Sequence, residues 1–156
     1  MKYKIVVVGK IKEKFYREAI DEYVKRISRF GNVEIAETDE CFFNGIPNQK
    51  EIDIILDGER KNILPKLEGY VIALDIGGKQ LSSEDIACAL DKQKQQYSTF
   101  TFVIGGSYGL SDQIKDRANL RLSFGKITLP HQLCRVVLCE QIYRACCIQN
   151  NVPYHK

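Results

Sequence analysis

The 156 residues, 44% hydrophobic and 28% charged, suffice for a single compact domain spanning 1–156 and leave little room for a second. No apolar run approaches the roughly 18 residues that read as a membrane span, and the six cysteines show neither C-x-x-C nor His/Cys ligand spacing, which argues against a disulfide framework or a metal site. The net charge of +3 divides into +5 over residues 1–30, −6 over 31–60, −1 over 61–114 and +5 over 115–156; two basic ends brought together would suit a polyanion, whereas apart they only solvate helix faces.

In chain order, residues 3–8 form a β-branched run closed by Gly9. The apolar core there is too short for an export signal, so a first strand and a cytoplasmic location with reduced thiols are expected. From Lys10 to Phe30, apolar residues recur at helical period, with Lys and Arg on the other face, and Gly31 is expected as the left-handed residue that ends the helix. Val33 to Glu37 is a second strand, followed by an acidic loop from Thr38 to Asn48. Gln49 to Leu67 reads as a helix weakened by Gly58 and Pro65.

Tyr70 to Asp75 is a third strand, closed by Gly77-Gly78. Ser82 or Ser83 then caps a helix that opens with Glu84 and Asp85, acidic residues suited to the positive end of its dipole. Thr99 to Ile104 is a fourth strand, Ser111 to Ala118 a short helix, and Asn119 to Phe124 a fifth strand. After the loop Gly125 to Pro130, His131 to Asn150 is a final helix, apolar around much of its circumference. Such a helix is covered on more than one side, and in a chain this small a second copy is the expected cover. The alternation predicts an α/β fold: a mostly parallel sheet of about five or six strands with helices on both faces.

The stretch that organises the chain is Thr101 to Ser111, an apolar strand running into three glycines within five residues. Open α/β sheets keep their ligands outside the carboxyl ends of the strands. Gly105, Ser107 and Gly109 also spell G-x-S-x-G, the elbow of a serine hydrolase, with Asp112 or Asp116 and His131 or His155 in triad order. Against that reading, Leu110-Ser111 delays the helix that should serve the oxyanion. Neither G-x-G-x-x-G nor a Walker A pattern is present, so a cofactor at this turn should make few demands on phosphate. S-adenosylmethionine, which carries none, fits that description.

Several motifs together carry a resemblance. The turn Val103-Ile-Gly-Gly-Ser-Tyr-Gly-Leu110, the loop Ser123-Phe-Gly-Lys-Ile-Thr-Leu-Pro-His-Gln132, the helix Arg135-Val-Val-Leu-Cys-Glu-Gln-Ile-Tyr-Arg-Ala145 and the terminal Tyr154-His155-Lys156 resemble the RlmH family, as does the opening Val8-Gly-Lys-Ile-Lys-Glu-Lys14. These are small SPOUT-class methyltransferases that act on a pseudouridine of 23S ribosomal RNA. The resemblance covers essentially the whole chain; the acidic 31–60 segment is its least similar part.

The resemblance implies a sheet whose carboxyl-terminal part is threaded into a trefoil knot, a homodimer, and no metal. It implies S-adenosylmethionine contacts at Leu74, at Gly105, and along Phe124, Gly125, Lys126, Ile127, Thr128 and Leu129. The implied reaction is in-line methyl transfer to N3 of pseudouridine in the 70S ribosome or large subunit. That nitrogen must lose its proton to become a nucleophile. His155 is the candidate base, with Tyr154 beside it and Arg135 placed to stabilise charge on the substrate base. Glu140 and Arg144, four apart, read as a salt-bridged pair, and His131 as a loop or cap residue. The alternative from another class is a non-catalytic RNA-binding or ribosome-assembly factor, which would make no use of the glycine turn.

Overall fold

The computed structural model describes all residues, Met1–Lys156. Strands β1 (Lys2–Val8), β2 (Asn32–Thr38), β3 (Tyr70–Gln80), β4 (Thr99–Ile104) and β5 (Leu120–Ser123) form one sheet in the order β2-β1-β4-β3-β5, with every neighbouring pair parallel. The helices are α1 (Lys14–Ile27), α2 (Gln49–Ile63), α3 (Ser83–Gln93), α4 (Asp112–Arg117) and α5 (His131–Gln149).

A parallel sheet needs cover on both faces, and its central strands are apolar on both. In β1, Tyr3, Ile5 and Val7 point into one core while Val6 and Val8 point into the other. In β4, Phe100, Phe102 and Ile104 share the first core and Val103 the second. The first is the larger, closed by α1, α3 and α5; the second is closed by α2 and α4. Truncating Phe102, which is 1% exposed, to alanine should cost about 3–5 kcal/mol.

Local signals set the helix ends. Asn48 and Glu51 form a capping box at the start of α2, and Ser82 and Asp85 form another at α3. Pro65 ends α2 at Ile63 by turning the chain into a short 3-10 turn, Leu64–Lys66. Gly58, inside α2, lets the acidic loop close on the helix, because a Cβ there would meet Cys41 Sγ at 2.8 Å.

Two expectations are corrected. The first helix begins at Lys14 and its regular hydrogen bonding stops at Ile27. Gly31 is not a left-handed cap; it is small because the Met1 carbonyl lies against it. The third strand does not end at Gly77-Gly78 but continues to Gln80 through a break, where both Leu74 and Lys79 face Leu122 of β5. The last helix, α5, lies between α1 and α3 of this chain. Leu138, Cys139, Ile142, Ala145 and Cys146 are buried there, and Leu133 and Val137 are left half-exposed on its outer side.

Candidate active site

The carboxyl ends of β4, β3 and β5, neighbours in the sheet, open onto a cleft of about 730 Å³. Three segments line it: Leu74 to Ile76 at the break in β3, Ile104 to Leu110 after β4, and Leu122 to His131 from the end of β5 to the start of α5, with Lys126 excepted and Cys134 added. The glycine turn is tight because the Gly109 N–H donates to the Gly106 carbonyl at 3.1 Å, with Gly109 at φ +78°. A Cβ on Gly105 would overlap the Gly109 carbonyl, so only glycine closes this turn. Ser123, buried at the end of β5, accepts the Gly125 N–H at 3.2 Å and lies 3.2 Å from the Ile76 carbonyl, joining two of the three segments.

Of the residues expected to hold a cofactor, Leu74, Gly105, Phe124, Gly125, Ile127, Thr128 and Leu129 all line the cleft. Lys126 does not, and is exposed. Sequence reasoning did not assign Ile104, Leu122, Tyr108 or His131 to a cofactor site; Ile104 is the last residue of β4 and Leu122 the last but one of β5, and both face the larger core, a signal the alternation carries. Burial tends to raise the Asp75 carboxyl, but the Arg121 guanidinium (Nε 3.0 Å from Oδ2) and Lys115 (3.8 Å) hold it below the usual carboxylate range. Lys115, the one lysine lining the cleft, also lies 3.8 Å from Asp112, so its charge faces two carboxylates. The Cys134 thiol is pushed up to about 11 by burial, which leaves it protonated and unreactive at neutral pH.

The lining is thus apolar side chains and glycine backbone with no cluster of cations. It suits a ligand with a flat apolar body and amide-like polar edges, and lacks the means to hold polyphosphate. The serine-hydrolase arrangement is not formed, since the Ser107 hydroxyl donates to Glu40 Oε1 at 3.1 Å and not to an imidazole.

A model of the family described as "Predicted SPOUT methyltransferase" matches residues 1–155. The "Ribosomal RNA large subunit methyltransferase H" of Streptococcus pneumoniae is 48% identical over 159 residues, covering 100% of both chains. The chain belongs to the SPOUT methyltransferases. Among solved structures, a probable methyltransferase from Bordetella pertussis has a similar fold, with a TM-score of 0.54 at 11% identity over 92% of this chain and 93% of that one. So has a putative methyltransferase from Legionella pneumophila in complex with bound SAM, with a TM-score of 0.51 at 12% identity over 93% of this chain and 66% of that one.

In this methyltransferase the three residues expected to be catalytic do not line the cleft. Tyr154 and His155 fold back along the outer side of α5. The Tyr154 hydroxyl donates to Glu140 Oε1 at 3.2 Å, and its ring lies under the Arg144 guanidinium. Burial, with the Glu140 charge adding, pushes the phenol up to about 12. His155 bridges Arg144 (Nδ1 to Nη1 3.1 Å) and Glu84 at the start of α3 (Nε2 to Oε1 2.8 Å). Glu140 and Arg144 form the expected ion pair, with Nε to Oε1 at 2.9 Å.

Arg135 does not line the cleft, as a group placed to stabilise charge on the substrate base would. It is fully buried, 0% exposed. Its Nη1 donates to Glu37 Oε1 at 2.7 Å and its Nη2 to the Gly9 carbonyl at 3.0 Å, while Nε has no partner. It ties the amino-terminal half of α5 to the ends of β1 and β2, close behind His131, whose Nε2 faces Gly9. Arg135 therefore has no direct access to the cleft.

Proposed function

We propose that this methyltransferase uses S-adenosylmethionine to methylate N3 of a pseudouridine in large-subunit ribosomal RNA, on the assembled ribosome or large subunit. The observation that carries this is the full-length, 48% identical relative named as a ribosomal RNA large subunit methyltransferase. The cleft supports the cofactor: its volume, apolar walls and cation-poor lining suit an adenosine joined to an amino acid. The distant fold relative from Legionella pneumophila is described with SAM bound. When bound, the cofactor supplies an electrophilic methyl on its sulfonium.

The chain's own residues do the rest. Leu74, the Gly105 turn and the loop from Phe124 to Leu129 hold the cofactor and exclude water from one side of it. His155 takes the N3 proton, Tyr154 packs beside it, and Arg135 keeps the start of α5 in position. Because the tail lies against its own α5 and α3 and away from its own cleft, the proposal includes a homodimer in which the tail of one copy completes the cleft of the other. Leu133 and Val137 on the outer side of α5, beside the folded-back tail, support that surface as the interface. The trefoil knot belongs to the same proposal, supported by the convergence of the three segments at one cleft from which α5 returns between α1 and α3.

The test takes ribosomes from cells lacking the protein, incubates them with it and methyl-labelled S-adenosylmethionine, and locates the label in digested nucleosides by mass spectrometry. Label on N3 of pseudouridine is expected. None, on 70S particles or free large subunits, would turn the assignment to a non-catalytic ribosome-assembly factor. His155→Ala should keep cofactor affinity and lose turnover; an unimpaired rate would remove His155 from the mechanism.

A further inference from the structure

Behind the glycine turn, on the side away from the cleft, lies a carboxylate that the mechanism does not use. Glu59, on α2, is 3% exposed. Its Oε1 accepts the Cys41 N–H at 3.3 Å, and its oxygens lie close enough to Gly106 that a Cβ there would meet Oε1 at 2.9 Å and Oε2 at 3.2 Å. A small cavity of about 100 Å³ beside it is lined by Glu40 and Cys41 of the acidic loop and by Ser107 and Tyr108 of the turn. Ser107, the serine of the G-x-S-x-G motif, donates to Glu40 across this junction. The acidic loop, α2 and the rim of the cofactor cleft therefore meet at one buried carboxyl group.

No cation joins it. The titratable and charged groups that face Glu59 are Glu40 and the Cys41 thiol, both from the acidic loop; Tyr108 lines the same cavity from the turn. A buried carboxylate without a cation or a second donor favours its neutral form.

We propose that Glu59 is a positioning residue for the cofactor cleft: its carboxyl, wedged between the Gly106 backbone and the Cys41 amide, sets the place of the Gly105–Gly109 turn. Burial pushes this carboxyl up to about 7, with the Cys41 N–H opposing and the Glu40 charge adding to the rise. In the neutral state Glu59 packs against Gly106 without needing water. Once ionised, it is repelled by Glu40 and is drawn from its buried place towards water, and the turn resting on it loses its backing.

The inference rests on the cleft being the cofactor site, and its test separates the two. Binding of S-adenosylmethionine is measured by calorimetry across the range from about pH 6 to pH 8, the window that also contains histidine titration, for the wild type and Glu59→Gln. Glutamine keeps the shape and the acceptor oxygen but cannot ionise. The wild type should lose roughly fivefold or more in affinity as the pH rises, while E59Q holds one affinity throughout, close to the wild-type value at the acid end. A flat wild-type profile overturns the proposal. So does an equal fall in both proteins, which assigns the titration to another group. If neither protein binds at any pH, the cofactor reading fails and this inference fails with it.

Discussion

Arg135 shows how much one residue's meaning depends on which side of its helix it occupies. A buried guanidinium is stable only with partners, and here it has the Glu37 carboxylate and the Gly9 carbonyl. Removing one member of a buried pair leaves the other uncompensated. Arg135→Ala should therefore cost roughly 3 kcal/mol in urea unfolding, with lysine a poor substitute because it cannot span both acceptors. The sequence did not disclose this burial, because α5 is apolar almost all round and gives no polar face against which to judge an arginine. Gly105 is the opposite case. Its role was legible from the strand-to-glycine transition alone, and the overlap of a Cβ with the Gly109 carbonyl gives the reason. Gly105→Ala should remove measurable S-adenosylmethionine binding in calorimetry while the protein still unfolds cooperatively.

Among the elements, β3 and α5 are where the sequence was least informative. Gly77 and Gly78 read as a strand end because they break the alternation of side chains. The strand resumes beyond them because Arg121 of the neighbouring β5 closes on Asp75, and a Cβ on Gly78 would press on the Arg121 backbone at 2.7 Å. This detour places Leu74 to Ile76 in the cleft wall. The Asp75 carboxyl titrates lower folded than unfolded, so its pairing contributes stability above the unfolded value and loses it as pH falls through the folded one. Arg121→Gln should lower the melting temperature at neutral pH, and the gap from the wild type should close below about pH 4. For α5, the apolar circumference correctly signalled cover on more than one side. Which molecule supplies that cover is not written in periodicity, since α1 and α3 present the same kind of surface as a second copy would.

For the whole molecule, charge follows the chain more than the layers. The +5 of residues 1–30 lies on the central strand β1 and on α1, the −6 of residues 31–60 on the edge strand β2, the loop after it and α2, and the basic residues of 115–156 are spread over α4, β5, the loop after it and α5. Binding to ribosomal particles should weaken steeply with salt, and Arg17 and Lys25 on the exposed side of α1 should reduce the slope when replaced by glutamine. Sedimentation at micromolar concentration should give a dimer, and Val137→Glu on the outer side of α5 should shift it towards monomer. Strand order was the part of the fold that the sequence kept hidden, because it leaves no repeating trace in residue type.

The sheet's centre has a consequence for how the protein is made. β4 sits between β1 and β3, yet it is the fourth strand to be synthesised. Until residues 99–104 leave the ribosome, β1 with β2 is one unsupported ribbon and β3 is another, each with an open edge and neither with a closed core. A nascent chain of 98 residues therefore cannot close the native sheet, and nearly two-thirds of the protein must wait for six residues to join its two parts.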